Sequence, residues 1–375
     1  MKVLHINCNY IGTTLHQLMV EELGHNGYDN QVYVPTYNRK ISVIETNDNV
    51  IVSECFKKWD RLIFDYKQMK IMRDLQKKVE DFSKFNFIHA YTLFTDGNCA
   101  RKMSKKYNIP YVVAVRNTDI NAFFAKMIHL RSRGIKIMRD AKAIFFLSES
   151  YRKQVFQKFV PKKFYEELWG KSFIVPNGID DFWFNNEPCL SEKKILKDSI
   201  KLIYAGRIDK NKNIPTIQRA MDILLKRGYQ VDLTVVGRVE DEAEFQIISK
   251  NPNTTCLPPM NKEELITAYR SADIFVMPSF TESFGLVYVE AMSQGLPVVY
   301  SKGQGFDGQF DEGIVGYHVD SHSAESVAEA IIRIIDNYSS FTSTVVEKSK
   351  KFNWSEIVKS YCKIYDEIIQ QEKGC

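Results

Sequence analysis

The chain lacks long apolar runs, patterned cysteines and internal repeats. No stretch approaches the roughly 20 consecutive apolar residues that a membrane-spanning helix requires, so no such helix is expected in this sequence. The seven cysteines, Cys8, Cys55, Cys99, Cys189, Cys256, Cys362 and Cys375, include no Cys-x-x-Cys pair and no other metal spacing. Neither a zinc site nor a disulfide framework is expected, and the scatter suits reduced thiols in a cytoplasmic chain. Low-complexity segments are also missing, and 44% hydrophobic residues with 26% charged ones is too apolar a balance for disorder. The opening MKVLHINCNY has one lysine and an apolar run broken by His5, Asn7 and Asn9. It reads as a buried strand, not as a signal peptide.

The 375 residues suffice for about two domains with their own cores. Charge is unevenly distributed: residues 1–185 carry 29 Lys+Arg against 19 Asp+Glu, a net +10, and the remainder is −5. Such asymmetry points to an anionic surface or partner for the first half, although any one lysine could simply be solvated.

Short apolar, β-rich runs alternate with longer helical patterns, as expected where strands buried on both faces are joined by crossover helices. In the first half the runs are Val3–Ile6, Gln31–Val34, Phe87–His89, Tyr111–Val115, Ala143–Leu147 and Phe173–Val175. The second half has Lys201–Tyr204, Asp232–Val236, Thr255–Leu257, Ile274–Met277, Pro297–Tyr300 and Gly316–Val319. Two doubly wound parallel-sheet domains of the α/β class are predicted: residues 1–185 and 198–352, joined by a polar linker at Asn185–Lys197 after the turn signal Pro176-Asn177-Gly178.

Ligands of open α/β sheets bind beyond the carboxyl ends of the strands, so the loops after these runs matter most. After Tyr204, Ala205-Gly206-Arg207 leads to Lys212, an arrangement that could grip a diphosphate through a planar fork and a mobile point charge, or could be a solvated basic loop. After Met277, the stretch TESFGLVYVEAM places Glu282 before Ser283-Phe284-Gly285-Leu286 and Glu290 in an otherwise apolar run. An ionised carboxylate in such a run needs a partner or a path to solvent. The helix start at Ser283–Gly285 offers free N–H groups to an anion or hydroxyl, as does Gly12-Thr13-Thr14 after the first strand.

Taken together, G-R-x(4)-K at 206–212, E-x(7)-E at 282–290 with Phe-Gly after the first Glu, P-N-G-I-D at 176–180 and G-L-P-V-V at 295–299 resemble the group 1 (family 4) retaining glycosyltransferases. The motifs stand in that family's order along essentially the whole chain. The resemblance implies a GT-B fold, two Rossmann-like domains facing across a cleft. The first is on the acceptor side, the second binds a nucleotide-sugar, and a last helix at 353–375 crosses back to the first. It further implies that Glu290 accepts hydrogen bonds from the ribose hydroxyls. Glu282 and the Ser283, Phe284 and Gly285 backbone would hold the transferred sugar. Arg207 and Lys212, with Gly206 and the Gly12–Thr13 turn, would stabilise the departing diphosphate. Arg238 and Cys256-Leu257-Pro258 are expected near the base. Neither a metal nor another cofactor is required under this scheme, and the donor is expected to be a UDP-sugar.

Many family members have a His-Gly-x-Asp segment where this chain has Arg116-Asn117-Thr118-Asp119. Arg116 stays protonated and so is no base, but it could contact phosphate or an anionic acceptor group, or pair with Asp119. His89 and Asp119 complete the acceptor-side expectation. The acceptor implied by the family is a saccharide or lipid-linked saccharide in a bacterial surface polysaccharide pathway. Two basic, aromatic-bearing segments, Phe56–Phe64 and Phe123–Arg139, could lie on an anionic membrane surface or be ordinary amphipathic helices. Nucleic acid is not an expected partner. A nucleotide-sugar 2-epimerase and a non-catalytic scaffold are the alternative function classes, and the intact Arg207, Lys212, Glu282 and Glu290 weigh against both.

Overall fold

The computed structural model describes residues 1–38, 48–188 and 200–373. The chain divides into two compact units, residues 1–178 with 354–375, and residues 179–353.

In the first unit seven strands form one sheet: β1 (Lys2–Ile6), β2 (Asp29–Thr36), β3 (Val50–Glu54), β4 (Phe87–Ala90), β5 (Tyr111–Val115), β6 (Ala143–Phe146) and β7 (Ser172–Ile174). Their order is β3-β2-β1-β4-β5-β6-β7, with every described pairing parallel. The runs Tyr111–Val115 and Ala143–Phe146 are buried throughout, which is why they are continuously apolar and do not alternate. β3 was not among the expected strands. It is a half-exposed edge strand in which Ser53 and Glu54 follow three aliphatic residues, so its apolar signal is short.

In the second unit β8 (Ile200–Ala205), β9 (Val231–Val236), β10 (Thr254–Leu257), β11 (Ile274–Met277), β12 (Val298–Ser301) and β13 (Gly316–Val319) form a parallel sheet ordered β10-β9-β8-β11-β12-β13. Each of these strands overlaps its predicted run. The carboxyl ends of β8 and β9 approach so closely that a Cβ on Gly237 would lie 1.7 Å from the Gly206 carbonyl oxygen. Gly206 N–H donates to Val236 O at 2.9 Å and Gly237 N–H to Leu257 O at 3.1 Å, extending the ladder past the strand ends. Glycine at 237 is therefore a steric requirement of the sheet edge.

The division falls at Gly178, ahead of the predicted domain end at 185. Ile179 bridges to Asn353, and the short helix Phe182–Asn185 buries Trp183 against Tyr269. Gln294 Nε2 donates to the Trp183 carbonyl at 3.2 Å, so this segment is part of the second unit. The expected linker lies outside the described residues from 189 onward.

The terminal helix Trp354–Lys373 packs in the first unit. Ile357, Val358, Tyr361 and Tyr365 join a core with Val3, Phe87, Val112 and Phe145 on one face of the sheet. Tyr28 Oη donates to Asp366 Oδ1 at 2.9 Å, tying the helix to the start of β2.

Candidate active site

The loop after β8 is held by its own side chains. Tyr204 Oη donates to the Arg207 carbonyl at 2.6 Å, and Asp209 caps the 3-10 turn Lys210–Lys212 by accepting from Lys212 N–H at 3.1 Å. Asn213 then adopts left-handed backbone (φ +59) and donates to the carbonyls of Pro278 (2.9 Å) and Ser321 (2.6 Å). Asparagine tolerates that conformation better than most residues, and here its amide also fastens the loop to the neighbouring strand ends. Arg207 projects with its side chain more than half exposed, its guanidinium 3.6 Å from Glu240 and 3.9 Å from Asp209.

Lys212 is aimed inward. Its Nζ lies 2.6 Å from Glu282 Oε2, and each side chain is 12% exposed. The loop after β11 is secured to the same frame: Asn211 Nδ2 donates to Thr281 O (2.8 Å), and Thr281 N–H and Phe280 N–H donate back to Asn211 Oδ1 (3.1 Å) and O (2.9 Å). From the next loop, Gln304 Oε1 accepts from Glu282 N–H at 3.0 Å. Gly285, with φ +80, lets the chain turn sharply into the helix Leu286–Ser293. Among the described residues, the N–H groups of Phe284, Gly285 and Leu286 meet no protein acceptor, so the turn retains its donors for an anion or hydroxyl. Ser283 N–H is already taken by Glu282 Oε1 at 3.0 Å. The Phe284 side chain is buried against Phe306 and Phe352 and contributes backbone alone.

Glu290 lies on that helix among buried Tyr288, Val289, Ala291 and Met292, yet is itself only partly covered. Burial pushes its carboxyl up to about 7, partly countered by Lys262 and reinforced by Asp180. Those two residues pair with each other at 2.6 Å. Ser293 Oγ donates to the Glu290 backbone carbonyl at 2.7 Å, but among the described residues no protein donor meets the carboxylate. In its ionised form this carboxylate is an acceptor only, and none of its protein neighbours among the described residues donates to it.

Arg238 is largely exposed and ion-paired with Glu240, and Leu257 is half-buried at the end of β10. Nothing in the described contacts of these two selects a base. Asn211 and Gln304 position the Glu282 loop and the Lys262–Asp180 pair acts on Glu290 through space, roles that the sequence did not assign. Asn211 lies within the x(4) of the G-R-x(4)-K spacing, but Gln304 carries no local signal.

The acceptor-side residues lie at the ends of the first sheet, and His89 requires a correction. It is fully buried in β4, with Nδ1 in a hydrogen bond to Tyr365 Oη at 2.6 Å and its ring stacked on Tyr91 at 4.3 Å. Burial keeps it neutral, well below the usual histidine range. It is a core residue, buried because its apolar faces pack under the terminal helix. Asp119 is likewise 1% exposed and accepts from the N–H groups of Leu93 (3.0 Å), Phe94 (3.1 Å) and Arg116 (2.9 Å), so it closes a loop and does not face a substrate. Arg116 is half-buried at the end of β5 and remains accessible. Gly12 closes a 3-10 turn, Tyr10–Gly12, and a Cβ there would meet nothing within 4 Å; Thr13 follows in extended backbone before the helix Leu15–His25.

Among the described residues no cluster of three His, Cys, Asp or Glu side chains converges in a metal-ligating arrangement. No described helix is long and apolar enough to cross a membrane.

The profile of the family described as Glycosyl transferases group 1 matches residues 189–352. The second unit carries a group 1 glycosyltransferase domain. The chain is 27% identical over 248 residues to the capsular polysaccharide biosynthesis glycosyltransferase CapM of Staphylococcus aureus, covering 62% of this chain and 64% of that protein. It is 33% identical over 175 residues to the D-inositol 3-phosphate glycosyltransferase of Paenarthrobacter aurescens, covering 44% and 43%. The matches thus span less than two thirds of these relatives. Among solved structures, sucrose-phosphate synthase from Thermosynechococcus elongatus superposes with a TM-score of 0.74 at 17% identity, covering 99% of this chain and 100% of that one. The lipopolysaccharide outer core galactosyltransferase WaaB gives 0.72 at 13% identity, covering 98% and 99%. Anabaena HepE in complex with UDP and glucose gives 0.65 at 16% identity, covering 98% and 100%. The fold of this chain is GT-B, as the glycosyltransferase domain and its motifs implied.

Proposed function

We propose that the chain transfers a sugar from a nucleotide-sugar, a UDP-sugar in the first instance, to a saccharide or lipid-linked saccharide with retention of anomeric configuration. The observation that carries this reading is the open carboxylate of Glu290, a partly covered acceptor with no protein donor in the described residues, for which a vicinal ribose diol is a fitting partner. The N–H groups of Phe284–Leu286 and the carboxylate of Glu282 would receive the sugar. Lys212 and Arg207 would meet the charge that grows on the diphosphate as the bond from the anomeric carbon breaks. The acceptor oxygen would bond to that carbon on the face the phosphate leaves, and its proton would pass to a departing phosphate oxygen. No protein nucleophile enters the scheme, and the two basic side chains take the charge-neutralising role without a metal. Retention and the polysaccharide setting are carried from the family resemblance.

The test is a thermal-shift screen of UDP, GDP, ADP and their sugar conjugates against wild type and Glu290→Ala, since ligands of the native state raise apparent stability. One nucleotide that shifts wild type and not the variant supports the reading; no shift with any of them overturns it.

A peripheral association with anionic membrane belongs to the same proposal. The segments Phe56–Phe64 and Phe123–Arg139 adjoin in the first unit through the Phe64–Phe123 ring contact (5.9 Å) and the Asp65–Arg133 ion pair. Their surface leaves Trp59 (70%), Leu62 (87%), Ile63 (64%) and Ile128 (67%) exposed, with Lys57, Lys58, Arg61 and Lys126 interspersed. Other apolar residues of these segments, including Phe124, Ile135 and Met138, are core and take no part. Exposed bulky side chains among cations suit an anionic interface. Sedimentation with anionic vesicles at low salt, lost in Trp59→Ser/Leu62→Ser, supports the association; no sedimentation by wild type overturns it.

A further inference from the structure

Arg116 occupies the place where the resembled family has histidine, and its surroundings are those of an anion site. It stands directly after β5, at the carboxyl end of the first sheet. Its Nε donates to the Tyr91 carbonyl at 3.3 Å, its Nη1 donates to Asn177 Oδ1 at 3.2 Å, and the Tyr361 hydroxyl also hydrogen-bonds the side chain. The three partners come from three separate elements, so the guanidinium is oriented before any ligand arrives. All three are neutral. The nearest carboxylate in sequence, Asp119, has both oxygens engaged by backbone N–H groups, Arg116's own among them. Among the described residues no carboxylate oxygen lies in ion-pair range of the Arg116 guanidinium. Some other partly buried cations of this unit are ion-paired, Lys70 with Asp60 at 2.6 Å, Arg101 with Asp140 at 2.7 Å and Arg152 with Glu149 at 2.6 Å, whereas Arg131, like Arg116, is held by neutral oxygens, the carbonyls of Phe124 and Ala125.

A half-buried guanidinium hydrogen-bonded only to neutral acceptors, with the Asp119 carboxylate acting on it through space alone, keeps N–H donors in reserve, since Arg has five. Its planar fork matches a carboxylate or phosphate, and it cannot lose its proton to relieve the imbalance. The net +10 of residues 1–185 adds a field of the same sign around it. Histidine at this place could act as a neutral hydrogen-bonding group; arginine cannot.

We infer that Arg116 is a specificity-determining residue that selects an acceptor carrying an anionic substituent, a carboxylate or a phosphate, over its neutral counterpart. The word acceptor rests on the transferase reading; the anion site itself does not.

The experiment titrates wild type, Arg116→Gln and Arg116→Lys with glucuronate, glucose 6-phosphate and neutral glucose, and separately with UDP, by calorimetry or ligand-observed NMR. In wild type, at least one charged sugar is expected to bind about tenfold or more tightly than glucose, the usual scale of a charge-assisted hydrogen bond. Preference for glucuronate alone identifies a uronate, and for glucose 6-phosphate alone a phosphate. Arg116→Gln should abolish the preference while leaving UDP binding intact, which also certifies that the variant is folded. Arg116→Lys should retain part of it. Equal binding of charged and neutral sugars by wild type, or a preference surviving in Arg116→Gln, overturns the inference. So does loss of UDP binding in a folded Arg116→Gln, which would assign the residue to the donor. Absence of UDP binding by wild type would instead sink the transferase reading, leaving the sugar titrations to decide the anion site.

Discussion

Lys212 Nζ and Glu282 Oε2 lie 2.6 Å apart, joining two loops through residues 70 positions from each other in sequence. Each is mostly covered, so the pair is oriented and shielded from bulk water, where a fixed charge acts most strongly. Nζ has three donors and gives one to Glu282, so the ammonium can bridge to a phosphate without leaving its partner. Replacing Lys212 with Ala is expected to lower kcat by about 10²–10³, because the developing charge loses its partner, and to cost some stability, because the mostly covered Glu282 carboxylate loses its cation. Steady-state kinetics with a donor identified by the nucleotide screen would check this; an unchanged kcat would remove Lys212 from catalysis.

Glu290 should make donor binding depend on pH. Its carboxyl is raised to about 7 from 4.5 by burial, so it destabilises the ionised native state. Its favourable contribution to stability is complete below about pH 4.5 and is lost as pH rises through about 7. In the proposed role the carboxylate accepts from a ribose diol most strongly when ionised, so affinity for a nucleotide-sugar is expected to fall as pH drops below about 7. Calorimetric titration between pH 6 and 8 tests it: Glu290→Gln should bind more weakly, without that pH dependence, and should be the more stable protein above pH 7.

Chelation separates the charge-based scheme from a metal-assisted one. With Arg207 and Lys212 as the partners of the leaving diphosphate, turnover should be unchanged after dialysis against EDTA. Recovery of lost turnover on adding a divalent cation would assign part of that role to a metal.

The buried histidines of the first unit should stay neutral. Burial holds His5 at about 4 and His16 at about 3, and keeps His89 well below the usual range. With unfolded values near 6.5, their contribution to stability is fully present above that pH and drains away as pH falls toward 4. Asp96 and Asp119, raised by burial to about 7 and about 6, act in the opposite sense over part of the same window. The ring resonances are therefore the cleaner readout. None of the three should titrate between pH 7.5 and 5, and His16→Phe should lose less stability than wild type on acidification.

Gly237→Ala is expected to destabilise the second unit by more than about 2 kcal/mol, since the added Cβ meets the Gly206 carbonyl and the backbone is at φ +156. The urea midpoint measures it. A shift no larger than that of an Ala at Gly228, where a Cβ meets nothing within 4 Å, would show that the β8 and β9 ends can separate.

Most strands were legible because a strand covered on both faces must be apolar along its length, and Tyr111–Val115 or Ile274–Met277 can hardly be read otherwise. β3 was not, since an edge strand exposes one side and its signal shrinks to three residues. The placing of Glu282 and Glu290 around the start of one helix followed from spacing, because eight positions on a loop and helix set where the two can stand. His89 shows the reverse: a histidine at a strand end suggests a ligand, and only the helix Trp354–Lys373, more than 260 residues later, makes it core. Likewise, Glu282 is positioned by Gln304 and Asn211, whose contacts at 3.0 Å and through Thr281 at 2.8 Å leave no trace in local pattern. Burial periodicity and motif spacing are properties of neighbouring residues, so the residue order alone specified most strands of two parallel sheets and the loops that follow them. Which buried group stays neutral, which cation is paired and which carboxylate is left open depend on distances across the fold, and those were set by packing between segments far apart in the chain.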